Sequence, residues 1–141
     1  MKLTVLLLQR DDDRAMYAEF LRHHGFAPDC PDHVDEALAG AADSDVIVTE
    51  LAVPTVSDGC AFIKTLRAEP STRHKPIIVV TSWAWQTDRL LAREAGCDVF
   101  LTKPCLPDDL LREIHSVLAA TRRRVSRKRT TSSDCKPRRR S

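Results

Sequence analysis

No apolar run in this chain approaches the roughly 20 residues that cross a bilayer. The apolar stretch at residues 3–8 is too short for a signal peptide and is followed at once by charges. The expectation is a soluble, cytoplasmic protein with no membrane span. Cysteine offers no framework either. Cys30, Cys60, Cys97, Cys105 and Cys135 form an odd set without a Cys-x-x-Cys pair, which argues against disulfides and against a zinc site. His23, His24, His33, His74 and His115 show no ligand spacing with cysteines or carboxylates, so they are not expected to bind metal.

At 141 residues the chain has the length of one domain with one core. Its charge is divided. Residues 1–121 hold 12 Lys/Arg against 19 Asp/Glu, a net of −7, whereas residues 122–141 hold ten against one, a net of +9. The apolar period also stops near Thr121. The expected organisation is a folded domain over residues 1–121 and a basic, disordered tail over residues 122–141. By charge alone such a tail attracts nucleic acid, an acidic membrane surface or an acidic protein. It lacks aromatics for stacking on bases, which argues against sequence-specific readout. A solvated extension folded back on its own acidic domain is the other reading.

Within the domain, strands alternate with helices. Residues 3–8 read as a first strand, ended by Gln9, Arg10 and Asp11-Asp12-Asp13, an acidic run suited to capping a helix over residues 14–24. Residues 26–30 form a weak strand whose Pro28 places it near a sheet edge, and a helix follows at about 34–42. Val46, Ile47, Val48 and Thr49 make an apolar, β-branched run suited to a strand buried on both faces, and it stops at Glu50. Pro54 and Asp58-Gly59 read as a turn before a helix at about 60–67. A fourth strand at 77–81 ends in Thr81. A loosely held helix at 86–95 has Leu90, Leu91 and Ala95 as its apolar positions. A fifth strand at 99–102 leads to Lys103-Pro104, and Pro107 opens the last helix. The alternation implies an α/β fold with a doubly wound, five-stranded parallel sheet.

In a flavodoxin-like strand order, 2-1-3-4-5, the third, fourth and fifth strands are neighbours. Glu50, Thr81 and Lys103 then converge at the carboxyl edge of the sheet, where open α/β sheets place their chemistry. A carboxylate flanked by a cation and a hydroxyl suits a phosphoryl group, whose oxygens need both.

These residues resemble the receiver domain of bacterial two-component response regulators over about residues 2–120. The resemblance is carried by Glu50-Leu51-Ala52-Val53-Pro54 with Asp58-Gly59, by Thr81, by Phe100-Leu101-Thr102-Lys103-Pro104, and by the helix around residues 16–21 followed by Gly25-Phe26. It implies a switch in which an Asp at the end of the third strand accepts phosphate from a sensor histidine kinase. Mg²⁺ is held by an acidic pair after the first strand. Thr81 and Lys103 would contact the phosphoryl group, and Phe100 would turn inward behind them.

Two positions depart from that pattern. The acceptor position holds Glu50, one methylene longer than Asp. The acidic pair is replaced by Leu8 and Gln9 in one alignment, or by Gln9 and Arg10 with a one-residue deletion; neither supplies the oxygen ligands Mg²⁺ wants. Asp11 or Asp12 would serve only in a rebuilt loop. Glu50 therefore has three readings: a strand-end carboxylate pairing with Lys103, a permanent imitation of the phosphorylated state, or a bystander to phosphorylation at another group. Phe100 is either core or switch. Trp83 and Trp85 either pack on the fourth helix or anchor a partner.

The expected function is a stand-alone response-regulator receiver domain in two-component or phosphorelay signalling. It would act by contact with a sensor histidine kinase or other signalling protein, independently of phosphorylation at Glu50. The alternative is an accessory protein that binds nucleic acid nonspecifically through residues 122–141. An enzyme is not expected, because no second carboxylate or nucleophile of suitable spacing accompanies Glu50.

Overall fold

A computed structural model describes residues 2–82 and 85–138. Five strands, β1 (Thr4–Leu8), β2 (Ala27–Asp29), β3 (Val46–Thr49), β4 (Ile77–Thr81) and β5 (Val99–Thr102), alternate with five helices. These are α1 (Asp11–His23), α2 (Val34–Ala41), α3 (Val56–Ala68), α4 (Gln86–Ala95) and α5 (Pro107–Arg138). The strands form one sheet in the order β2-β1-β3-β4-β5, and every pairing is parallel. This is the flavodoxin-like doubly wound arrangement.

Alternation along the strands divides the interior into two layers. Val5 and Leu7 of β1, Val46 and Val48 of β3, and Ile78 and Val80 of β4 face α1 and α5, where Tyr17, Leu21, Leu110 and Ile114 meet them. Leu6, Leu8, Ile47, Ile77 and Val79 face the other way, toward Ala37 and Ala41 of α2, Phe62, Ile63 and Leu66 of α3, and Ala92 and Ala95 of α4. The central strands are buried on both faces, which is why they read as unbroken apolar runs. Each fully buried Leu, Ile or Phe contributes about 1.5–3 kcal/mol relative to an exposed position. The edge strand β2 has only three residues and accepts Pro28 where few ladder bonds are needed.

Several boundaries differ from the sequence reading. Helix α1 begins at Asp11, with Arg10 at the cap and no side-chain cap bond, so all three aspartates sit in the helix rather than ahead of it. Their charge favours the helix amino end. Helix α3 begins at Val56, four residues early, because Thr55 and Asp58 form a reciprocal capping box: Asp58 N donates to Thr55 Oγ1 at 3.1 Å and Thr55 N to Asp58 Oδ2 at 3.3 Å. Gly59 is thus helical. A Cβ there would stand 1.7 Å from the Leu51 carbonyl oxygen, so glycine lets α3 press against the end of β3.

In α4 the buried positions are Ala92 and Ala95, while Leu90 and Leu91 are exposed. Backbone helicity in α5 continues past Thr121 to Arg138, where the sequence reading expects a disordered tail. Arg and Lys are good helix formers, and no glycine or proline intervenes before Pro137.

Candidate functional site

The register of the sheet sets the site. Leu8 pairs with Thr49 and Thr81 with Thr102, so Gln9, Glu50, Thr81 and Lys103 leave the sheet side by side at its carboxyl edge. Two strand-end hydrogen bonds hold the frame: Glu50 N donates to Leu8 O at 2.8 Å and Lys103 N to Thr81 O at 2.9 Å.

Glu50 is only 2% exposed. Its Oε2 accepts from the backbone N–H groups of Leu51 at 2.8 Å and Ala52 at 3.3 Å, and from the hydroxyl of Thr81. Its Oε1 lies 3.2 Å from the Lys103 ammonium. A buried carboxylate is costly unless paired and hydrogen-bonded, and all four partners here are donors, two of them supplied by the turn that follows β3.

Lys103 has a second carboxylate. Its Nζ lies 2.6 Å from Asp13 Oδ2, closer than it lies to Glu50. The sequence reads the aspartate run as a solvated cap, with Asp11 or Asp12 serving the site only in a rebuilt loop. Asp12 is exposed, the side chain of Asp11 falls outside the described side chains, and Asp13 is the acid that reaches Lys103. The signal was present. Asp13 stands one helical turn before Tyr17, which is buried with its hydroxyl donating to Cys105 O at 2.8 Å, so position 13 shares the inward face of α1. Burial pushes the Tyr17 phenol well above its ordinary range, which keeps it protonated as that donor.

Gln9 also belongs to the site: Leu8 pairs with Thr49, so Gln9 follows β1 beside Glu50. Gln9 is 6% exposed, donates its amide N–H to Val80 O at 3.2 Å across the end of β3, and leaves its own Oε1 buried without a partner. Arg10 and Arg14 line the adjoining cleft of about 740 Å³, with Arg14 2.6 Å from Asp32.

These residues do not fit Mg²⁺. The ion takes several oxygen ligands in octahedral geometry, yet among the described side chains the carboxylates that reach this corner, Asp13 and Glu50, both face the Lys103 ammonium. A further side-chain oxygen there is the neutral amide of Gln9, and two guanidinium groups line the corner beside it. No group of three His, Cys, Asp or Glu among the described residues could hold a metal ion.

Phe100 is half-buried against the layer containing α3 and α4, and the Arg89 guanidinium lies 4.8 Å from its ring centre. Such a cation–π contact is worth about 0.5–1 kcal/mol near a surface. Of the two tryptophans, Trp83 lies outside the described residues and Trp85 is 68% exposed. Among the described thiols, burial raises Cys30, Cys60 and Cys105 above their ordinary value and Cys97 to about 11. No helix among the described residues is long and apolar enough to cross a membrane.

The response regulator receiver domain family matches residues 9–115. The chain is 32% identical over 115 residues to the phosphate regulon transcriptional regulatory protein PhoB of Escherichia coli, covering 80% of this chain and 48% of that protein. The chain therefore spans about half the length of that curated relative. Among solved structures, the chemotaxis protein CheY4 of Vibrio cholerae matches with a TM-score of 0.75 at 26% identity, covering 83% of this chain and 99% of the other. The receiver domain of a sensor histidine kinase from Pseudomonas aeruginosa, with a magnesium ion coordinated in its active site cleft, matches with a TM-score of 0.73 at 26% identity, covering 84% and 99%. With the sheet order, the converging strand ends and the family match in agreement, this chain belongs to the response regulator receiver domain family of two-component signalling.

Proposed function

We propose that this receiver works with its phosphate pocket permanently filled by its own Glu50, and signals by protein contact without phosphoryl transfer at that position. The observation that supports the reading is the donor set on the Glu50 carboxylate. Thr81, Lys103 and the Leu51 and Ala52 amides are the donors a phosphoryl group would need, and each already bonds to Glu50. Thr81 is drawn onto the carboxylate, the movement that the family resemblance associates with the engaged switch. The partner is a sensor histidine kinase or another cytoplasmic signalling protein that reads the α4–β5–α5 side. The chain turns over no substrate: Glu50 is sequestered from solvent and has no free oxygen to act as a base.

Incubation with acetyl phosphate and Mg²⁺, followed by intact mass and peptide mapping, tests this. An unmodified Glu50 is expected. A phosphoryl adduct mapping to Glu50 would overturn the reading.

A second reading, an accessory protein that binds nucleic acid nonspecifically through residues 122–141, draws support from the helical backbone of α5 through Arg138 and from the ten Lys/Arg of that segment. Duplex binding with a steep salt slope that disappears on deletion of residues 122–141 supports it, and binding that survives the deletion counts against it.

A further inference from the structure

The end of the sheet opposite Glu50 carries a second concentration of charge. There the Arg67 guanidinium acts as a staple: it donates to Gly96 O at 2.9 Å, Arg73 O at 2.9 Å and Lys75 O at 2.7 Å, and pairs with Asp98 at 2.9 Å. The loop between α3 and β4 is thereby fixed against the start of β5. That loop displays the side chains of Arg73, His74 and Lys75. Arg73, His74 and Arg124 of α5 line one cleft of about 540 Å³, and Lys75, His74 and Arg122 line another of about 430 Å³ on the other side of the Thr121 turn.

Two of the acids on this surface are already engaged. Asp98 accepts from Ile77 N at 2.8 Å as well as from Arg67, and Asp45 accepts from Thr4 N at 2.7 Å. Among the described ion pairs, none includes Arg73, Lys75, Arg122 or Arg124. A fixed cationic platform therefore leads directly into a basic helix.

We infer that this platform and α5 together form a binding surface for the phosphate backbone of double-stranded DNA, so that the folded domain contributes contacts of its own beyond those of the terminal segment. The inference deepens the second reading above and rests on it. At 1.5 Å per residue, the helical backbone of residues 122–138 extends about 25 Å, long enough to follow several phosphates of a duplex. Single strands are disfavoured as the ligand because residues 122–141 contain no aromatic side chain for base stacking. A membrane surface is disfavoured because the same segment has almost no apolar side chains to insert, Val125 and Cys135 aside. The platform lies at the amino ends of β4 and β5, a strand length from Glu50, so the two ends can be occupied together.

The test uses the full chain and a labelled mixed-sequence DNA duplex, with anisotropy measured across a salt series. Arg73→Glu, Lys75→Glu and Arg124→Glu combined should weaken binding about tenfold or more near 0.1 M salt and flatten the salt slope by about 2 to 3, since each phosphate contact contributes about 0.9. The corresponding glutamine triple variant should show a smaller loss of the same sign, which guards against misfolding of the reversed one. Wild-type affinity and slope in both variants would overturn the shared surface while leaving the terminal segment as a binder. Failure of the wild type to bind the duplex would overturn both ideas. Tighter binding to a single strand of the same length, or to phosphatidylserine vesicles, would overturn the assignment of duplex DNA.

Discussion

The ammonium of Lys103 lies 3.2 Å from Glu50 Oε1, bridging the ends of β5 and β3. The same ammonium holds Asp13 at 2.6 Å. One lysine thus satisfies two carboxylates, one from the acceptor position and one from the first turn of α1. That arrangement uses the charge a metal ion and a phosphoryl group would otherwise balance.

Truncating the buried carboxylate should be costly. Glu50→Ala leaves the Leu51 and Ala52 amides and the Thr81 hydroxyl without their acceptor, and is expected to lower unfolding stability by about 2–4 kcal/mol. Glu50→Gln keeps an acceptor oxygen and should cost less, about 1–2 kcal/mol. Urea denaturation of the two variants measures the difference, and equal losses would contradict the role given to these donors.

Restoring phosphorylation should need more than the acceptor. Glu50→Asp alone is expected to remain unlabelled by acetyl phosphate and Mg²⁺, because Gln9 and Arg10 supply no metal ligands. Adding Gln9→Asp and Arg10→Asp supplies one acidic pair. Acids at positions 8 and 9 are the alternative pair, and one of the two triple variants should label. Efficient labelling of the single variant would show that the metal corner is not the deeper barrier.

Gly59→Ala tests the join between β3 and α3. A Cβ 1.7 Å from Leu51 O forces the two segments apart, at a cost of about 3 kcal/mol or more. Because Leu51 N and Ala52 N bond to Glu50, the same variant should perturb the amide resonances of residues 50–52. Unchanged stability would mean that α3 and the site are not rigidly coupled.

Stability should also fall in alkaline solution. Burial holds the Cys97 thiol at about 11, above the ordinary value of 9.0. A group whose folded value is raised stabilises the fold fully below its unfolded value and loses that contribution as pH rises through the folded one. The window is pH 9 to 11, and the raised thiols of Cys30, Cys60 and Cys105 act in the same direction. Melting temperature measured across that range should decline, and Cys97→Ala should decline less steeply. Identical profiles for the two proteins would contradict this assignment.

The parallel sheet was legible because buried strands leave an unmistakable trace: residues 46–49 and 77–81 are apolar without interruption since helices cover both of their faces. The convergence of Glu50, Thr81 and Lys103 followed from strand order. What the sequence concealed was local. Asp58-Gly59 has the composition of a turn, but Thr55 and Asp58 cap each other and Gly59 is demanded by a neighbouring carbonyl rather than by its own backbone angle. Asp13 was hidden inside an acidic run in which only the helical phase, set by Tyr17, distinguishes it from Asp12. Gln9 was ambiguous because the length of the first loop is a property of the β1–β3 register, which no single segment encodes. The end of an apolar period near Thr121 marks where burial stops, and it carries no signal for how far the helical backbone of α5 runs.

The most direct measurement is an amide and lysine ammonium NMR titration of the wild-type chain with Mg²⁺ and beryllium fluoride, a stand-in for the phosphoryl group. With the donors of Leu51, Ala52, Thr81 and Lys103 already bonded to Glu50, their resonances should stay where they are throughout. A saturable shift of those four signals would mean that the pocket admits a phosphoryl group after all.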